Sequence, residues 1–467
     1  MPDELPDIVL VVFDTARWDR FGCYGYGRPT TPTVDRLAEE GLRVETMIAN
    51  GPWTLPAHGS LFTALYPSEH GSQWQTGPAL RDSVPVTMAE WLRGLGYHTV
   101  CATNNGLISP RTRLSRGFDR YAFRLELERG LPRTLRRARK VLAGGDSGGR
   151  IVNRWVADEL ESVPRPLFLF VNYLECHWSY APPRRLTKRV GGQRFGALRE
   201  LEYRVRLADR VGPWEAVARA DERTLAAYST LYDGEVANVD DHLARLLDVL
   251  RSAGRLEEGR TLVIATSDHG EHLGEHGLAD HHASVDDHLV RVPFVAWGPG
   301  LVPRRSRGGI FEFVDVLPSL ARLLGRDLPD GVPTGRRTDL FSSGGGPNGS
   351  PYAFAEWRAW VDKERTRLAR RNPSYDFTGL ARDLVCVRDD RFKLVRASPG
   401  GNVLYDLAAD PEEERDVSES HPEAAARLAA ELDAAAGRWA VAEREGATLT
   451  EQESREIEQR LTELGYL

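Results

Sequence analysis

Residues 268–288 read DHGEHLGEHGLADHHASVDDH and hold six of the chain's twelve histidines: His269, His272, His276, His281, His282 and His288. Six carboxylates are interleaved before His288, at Asp268, Glu271, Glu275, Asp280, Asp286 and Asp287. Imidazole with carboxylate suits Mg2+, Mn2+ or Zn2+, and the imidazoles argue against a pure calcium cage. A solvated charged loop is the plainer reading of such a run. Gly270, Gly274 and Gly277 count against it, because they allow a tightly folded loop that returns side chains to its own start. The six histidines need not all be ligands, and most are expected at the surface or behind the ligands. Asp268 and His269 adjoin at the end of an apolar run, where both side chains can face one ion. Asp14 ends another apolar run and can complete that ion's shell.

A second stretch, PWTLPAHGS at 52–60, places Thr54, Pro56 and His58 two residues apart. Thr54 stands where a helix should begin. Thr is a good N-cap and Pro fits a first helical turn, so a cap alone is one reading. The other starts from the helix N-terminus as an anion site, with free N–H groups and the positive dipole end. A hydroxyl there, beside a divalent ion, is placed to attack a phosphoryl or sulfuryl centre.

These residues need elements to carry them. DIVLVVFD (7–14), YHTVCATNN (97–105), PLFLFVNYLECH (166–177), TLVIATSDHG (261–270) and VPFVAWGPG (292–300) are apolar runs without polar alternation. Each reads as a strand buried on both faces, as in a parallel sheet. Helical patterns lie between them, at 31–41, 87–96, 235–254 and 313–325. Alternating strand and helix predicts an α/β fold with a mostly parallel sheet. Four of the runs end in polar groups: Asp14, Asn104 with Asn105, Glu175 with His177, and Asp268 with His269. Strands of one parallel sheet would gather these at the carboxyl edge, where such folds bind ligands.

A chain of 467 residues, 41% apolar and 28% charged, fits one large domain with a smaller one. The Gly/Ser-rich segment 342–351 divides a catalytic domain at 1–341 from a small α+β subdomain at 352–420, followed by a helical tail at 421–467. In the subdomain, CVRDDRFKLVRA and NVLYDL read as two antiparallel strands joined by SPGG. The net charge of −7 comes without a basic stripe, so nucleic acid is not an expected partner. No apolar run is long enough to span a bilayer, and the acidic start MPDELPD is unlike a signal peptide. Cys23, Cys101, Cys176 and Cys386 are widely spaced and read as reduced thiols, which points to the cytoplasm. Oligomeric state is not legible.

VVFDTARWDRFGCYGY, the segment from PTTPTVDRLAEEG through PWTLPAHGSLFTALYPSEHG, and TLVIATSDHGEHLGEHG together resemble the sulfatase family of the alkaline phosphatase superfamily. FVDVLPSLARLLG, LYDLAADPEEERDV and the closing LTELGYL match its patterns too. The resemblance implies an alkaline-phosphatase-like sandwich: a large, mostly parallel sheet flanked by helices, with the small C-terminal subdomain. It implies that Asp14, Asp268 and His269 hold one divalent metal, with Thr54 bridging metal and substrate. It places His177 on the transferred group, His281 on the leaving oxygen, and Asn105 and Arg17 at the substrate.

Three positions depart from the family pattern. Thr54 stands where sulfatases carry the Cys or Ser that is oxidised to formylglycine, and Thr cannot give that aldehyde. His58 replaces the motif's Arg, and Thr15 replaces the second Asp of an Asp-Asp pair. No formylglycine is therefore expected, and a transition metal is favoured over calcium among Mn, Mg, Zn and Ca. The expectation is a hydrolase of small phosphate mono- or diesters using Thr54. The alternatives are a sulfatase working without formylglycine, a phospho-group transferase to an alcohol, and an inactive binding protein.

Overall fold

The computed structural model describes residues 4–73, 77–123, 148–191, 213–257, 259–301, 305–333, 338–341, 349–360 and 362–442, with Gln452, Arg455 and Ile457. RTLRRARK at 133–140, a short run that a solvated helix face explains more simply than an acidic substrate, lies outside these residues, as do the linker 342–348 and most of the tail beyond 442.

The main sheet is built from β1 (Asp7–Phe13), β2 (Leu42–Ile48), β3 (His98–Thr103), β4 (Arg120–Phe123), β5 (Leu167–Tyr173) and β6 (Thr261–Thr266). A two-stranded ribbon follows, β7 (His272–Leu273) with β8 (Ala279–Asp280). Then β9 (Arg291–Val292), β10 (Phe294–Trp297) and β11 (Arg305–Glu312) complete the nine-stranded sheet, in the order β11-β2-β10-β6-β1-β5-β3-β4 with β9 beside β2. β6, β1, β5, β3 and β4 run parallel. The run at 292–300 was expected to join them as a parallel strand, but β10 pairs antiparallel with both β6 and β2. Its apolar character is the same because it is covered on both faces whichever way it runs, so burial alone cannot report direction.

Alternate residues of the central strands enter two different cores, which makes three layers. Ile8, Leu10 and Val12 of β1 join Phe168 and Phe170 of β5 on one face, with the helices Thr54–Thr63 and Val316–Leu324. Val9, Val11 and Phe13 join Leu167, Leu169 and Val171 on the other, with Pro32–Glu40, Gly149–Leu160 and Glu222–Ser252. The helix expected over 235–254 therefore begins much earlier, at Glu222, where Asp221 caps it by accepting from the Thr224 N–H.

A second sheet, β12 (Ala353–Trp357), β13 (Asp383–Arg388), β14 (Phe392–Ser398) and β15 (Asn402–Asp406), is wholly antiparallel. CVRDDRFKLVRA is two strands rather than one. Asp389 takes the N–H groups of Arg391 and Phe392 on its carboxylate and turns the chain between β13 and β14. Leu428, Leu432 and Trp439 of the helix Pro422–Ala442 pack on Val387, Leu394 and Leu404, so this helix shares a core with the small sheet. The other face of that sheet, through Trp357, Leu384 and Cys386, joins the main core. No helix among the described residues is long and apolar enough to cross a membrane.

Candidate active site

The parallel order β6-β1-β5-β3 puts four strand ends side by side. Asp14 follows β1 and is fully buried. Its Oδ2 accepts from Asn105 Nδ2 at 2.7 Å, beyond β3, and from Asn172 Nδ2 at 3.3 Å, in β5. Asp268 follows β6, and its Oδ1 accepts the N–H of Thr15 at 3.1 Å and of His269 at 2.9 Å. Thr15 sits at φ 62°, a left-handed backbone that β-branched residues rarely take. That turn aims its N–H at Asp268, so the position where a second Asp was missing supplies a backbone donor instead.

Asp14, Asp268 and His269 each offer a donor atom within 4.8 Å of the others'. Asp14 Oδ1, Asp268 Oδ2 and His269 Nε2 are buried and make no hydrogen bond. Burial, and then the charge of Asp268, push the Asp14 carboxyl up to about 7. Burial pushes Asp268 up as well, but His269 and then His58 outweigh it and hold Asp268 at about 2. Two dry carboxylates and an imidazole with unbonded atoms around one point fit a divalent cation.

Thr54 is the first residue of its helix and not the cap. The first helical bond runs from the Ala57 N–H to the Trp53 carbonyl, so extended Trp53 takes the cap position, with no side-chain cap bond. The Thr54 hydroxyl is turned instead to the sheet edge, where Oγ1 accepts from Asn105 Nδ2 at 3.1 Å. One amide group thus touches both Asp14 and Thr54. One turn on, His58 donates from Nδ1 to the Thr54 carbonyl at 2.9 Å, with Nδ1 3.5 Å from Asp268 Oδ2. Its ring meets Phe62 and Phe170 edge-on, and burial lowers its pKa. Through that bond His58, behind the helix start, holds Thr54 in place.

The rings of His177, His281 and His269 form a row, with centroids 5.2 and 4.5 Å apart. His177 donates from Nδ1 to the Trp178 carbonyl at 3.0 Å. Burial, then the neighbouring His281, drive its pKa down to about 3. His281 goes the other way. Burial opposes its charge, but Asp280 Oδ1 at 2.8 Å and Glu271 Oε1 at 3.4 Å outweigh burial and hold it well above the usual range. A neutral and a charged imidazole therefore lie side by side.

The structure brings together Asp14, Thr54, His58, Asn105, His177, Asp268, His269 and His281. Arg17 is not among them. Its guanidinium is buried and held by Asp19 at 2.8 Å, Glu275 at 2.5 Å and the Glu271 carbonyl at 3.2 Å, so its charge is spent inside the protein. One neighbour, Asn172, escaped sequence reasoning, and Glu271 and Asp280 were counted among the loop's carboxylates without their contacts to His281. Asn172 had a signal, as an amide inside the otherwise apolar LFLFVNY. The histidines were expected at the surface or behind the ligands, and burial takes most of them away from the surface. His269, His272, His281, His282 and His288 are all buried, and only His276 is not. Gly270 explains the compaction: a Cβ there would lie 1.8 Å from the His288 carbonyl oxygen, so only Gly lets the loop close on itself.

A nine-stranded α/β sheet with an acid–imidazole centre at its carboxyl edge defines a class of hydrolytic enzymes, and comparison with known proteins gives the family. The model of the Sulfatase family matches residues 6–326. The uncharacterized sulfatase YidJ of Escherichia coli (strain K12) is 26% identical over 437 residues, covering 87% of this chain and 82% of that protein. The multifunctional alkaline phosphatase superfamily protein PehA of Trinickia caryophylli is 24% identical over 453 residues, covering 82% and 84%. The crystal structure of a phosphonate monoester hydrolase of Agrobacterium radiobacter superposes with a TM-score of 0.71 at 22% identity, covering 93% of this chain and 96% of that one. The chain belongs to the sulfatase family, and it is an ester hydrolase of the alkaline phosphatase superfamily. Enzymes of this family are generally metal-dependent.

Proposed function

We propose that this chain hydrolyses phosphate mono- or diesters through an unmodified Thr54 nucleophile. The observation that carries the reading is the Asn105 amide, which donates to Thr54 Oγ1 at 3.1 Å and to Asp14 Oδ2 at 2.7 Å. It ties the hydroxyl to the residues that would hold the metal: Asp14, Asp268 and His269. When bound, a divalent ion supplies positive charge that acidifies a neighbouring hydroxyl and offsets charge on the ester oxygens.

The protein's own groups do the rest. The Thr54 alkoxide attacks phosphorus and the bond to the ester oxygen breaks. His281, held cationic by Asp280 and Glu271, gives its proton to that oxygen. His177, neutral and with its one proton on the Nδ1 that donates to the Trp178 carbonyl, turns Nε2 to the transferred group as an acceptor for a protonated ester oxygen. The Thr54 helix start contributes N–H groups to an anionic ester, while both Asn105 amide protons stay on Asp14 and Thr54. Water then attacks phosphorus, Thr54 leaves, and neutral His281 takes the water's proton.

This second displacement favours phosphorus over sulfur. A formylglycine hydrate carries a second hydroxyl that can expel sulfate without attack at sulfur, whereas a Thr ester has no such exit. The proteins this chain resembles include both a phosphonate monoester hydrolase and sulfatases, so the choice rests on Thr54 alone. A panel of aryl phosphate monoesters, phosphodiesters, phosphonate monoesters and sulfates, run with Mn, Mg, Zn and Ca, tests the reading. Turnover of a phosphate ester that Thr54→Ala abolishes is the expected result. Turnover of aryl sulfate alone would replace it with the second reading, a sulfatase working without formylglycine. The cytoplasmic location expected from the cysteines belongs with this proposal.

A further inference from the structure

We propose that the chain carries a second metal site, apart from the catalytic centre, built from His272, Asp286 and His288 and suited to Zn2+ or a neighbouring first-row dication. One donor atom from each of the three lies within 4.8 Å of the other two. Asp286 Oδ2 is 2.6 Å from His272 Nε2 and 2.9 Å from Ser284 Oγ. A plain hydrogen-bonded pair would explain that much and no more. It leaves His272 Nδ1, Asp286 Oδ1 and His288 Nδ1 buried without any hydrogen bond. Buried polar atoms are normally paired, and one ion would meet two of these orphans, Asp286 Oδ1 and His288 Nδ1, with His272 joining through Nε2.

The surroundings match what a metal-binding histidine requires. His288 Nε2 lies 3.2 Å from Glu412 Oε2, which fixes the ring and leaves Nδ1 as the ligand atom, 4.0 Å from Asp286 Oδ1. A carboxylate behind a ligating imidazole is the usual support for such a ligand. His276 Nε2 is 3.9 Å from Asp286 Oδ2, on a side chain 29% exposed, and offers a fourth ligand on the solvent side. Two or three imidazoles with one carboxylate select Zn2+ and its neighbours over Ca2+ or Mg2+. Bonds of about 2.0–2.2 Å put ligand atoms of a tetrahedron roughly 3.3 Å apart. The His288 Nδ1–Asp286 Oδ1 pair at 4.0 Å must close by less than an ångström, and His272 must exchange its 2.6 Å bond to Asp286 Oδ2 for the ion. The ion would join the loop carrying His269 and His281 to Glu412, which follows the small sheet, and so brace the catalytic loop from outside.

The test separates the two sites in the full chain. Protein carrying Asp14→Asn and Asp268→Asn, which removes the catalytic carboxylates, is stripped and then equilibrated with Zn2+ or Co2+ against a weak chelator. We expect one ion per chain to remain, and Co2+ to give the intense visible bands of a tetrahedral site. Adding His288→Gln should abolish both. No retained ion and no tetrahedral spectrum in the double variant would overturn the proposal, without any change to the second site that could unfold it. An ion that survives His288→Gln in folded protein would overturn it as well, since it would sit elsewhere. Neither outcome bears on turnover of phosphate esters by the wild-type chain.

Discussion

The six histidines of residues 268–288 fall into two groups with different electrostatics. His269, His281 and His282 gather near the sheet edge, where the Asp14 carboxyl is raised to about 7 because burial and Asp268 leave it short of positive charge. His272, His276 and His288 surround Asp286, whose carboxylate is pushed well down despite burial by His272, His288 and the buried Lys393. The first group needs a cation brought from outside. The second already has part of its charge met by the protein.

The sharpest way to break this contrast is at the nucleophile. Thr54→Ala should lower kcat/KM for the phosphate ester by about 10⁴-fold or more, as loss of a nucleophile does in acting-as-a-unit sites. His272→Ala should leave the order of magnitude of kcat/KM unchanged. Equal losses would mean that the two groups are one functional unit. His281→Ala comes next, at about 10²–10⁴-fold, the range of a general acid. Its deficit should be larger for an alkyl ester than for an aryl ester, whose leaving oxygen needs less help. Equal deficits across leaving groups would remove His281 from the proton-donor role. Asn105→Ala should cost about 10–100-fold in activity or in affinity of the catalytic ion, the usual effect of losing a partner behind a ligand. A titration of metal against activity reads which of the two it is.

Much of this arrangement could be read from residue types. The strands that carry Asp14, Asp268 and Asn105 are continuous apolar runs, and a polar residue at the end of such a run stands out. Parallel pairing then put those ends side by side, so local patterns were enough for Asp14, Thr54, Asp268 and His269 to meet. What could not be read was tertiary. Arg17 has the right type for a substrate anion, but Glu275, 258 residues away, claims it. Asp280 and Glu271 set the charge of His281 through a ribbon whose fold depends on Gly270 passing the His288 carbonyl. Thr54 was misplaced by one helical position, because which carbonyl accepts the first helical bond depends on Trp53 being extended and not on Thr preferring caps. Direction also escaped: β10 has the composition of its parallel neighbours and runs against them.

The smallest expected effect probes the outer group alone. Glu412 is 60% exposed, so its contact with His288 is screened by water and adds little to folding. Its value would lie in orienting the His288 ring so that Nδ1, and not Nε2, faces Asp286. Glu412→Gln keeps the shape and a hydrogen-bonding atom while removing the charge. The catalytic rate should therefore hold, and affinity of the second ion should fall by about tenfold, the low end for such a partner. Isothermal titration of Zn2+ into the Asp14→Asn, Asp268→Asn chain, with and without Glu412→Gln, measures it directly. An unchanged affinity would mean that His288 binds through Nε2 or not at all. The contrast between the groups would then rest on His272 and Asp286 as a hydrogen-bonded pair.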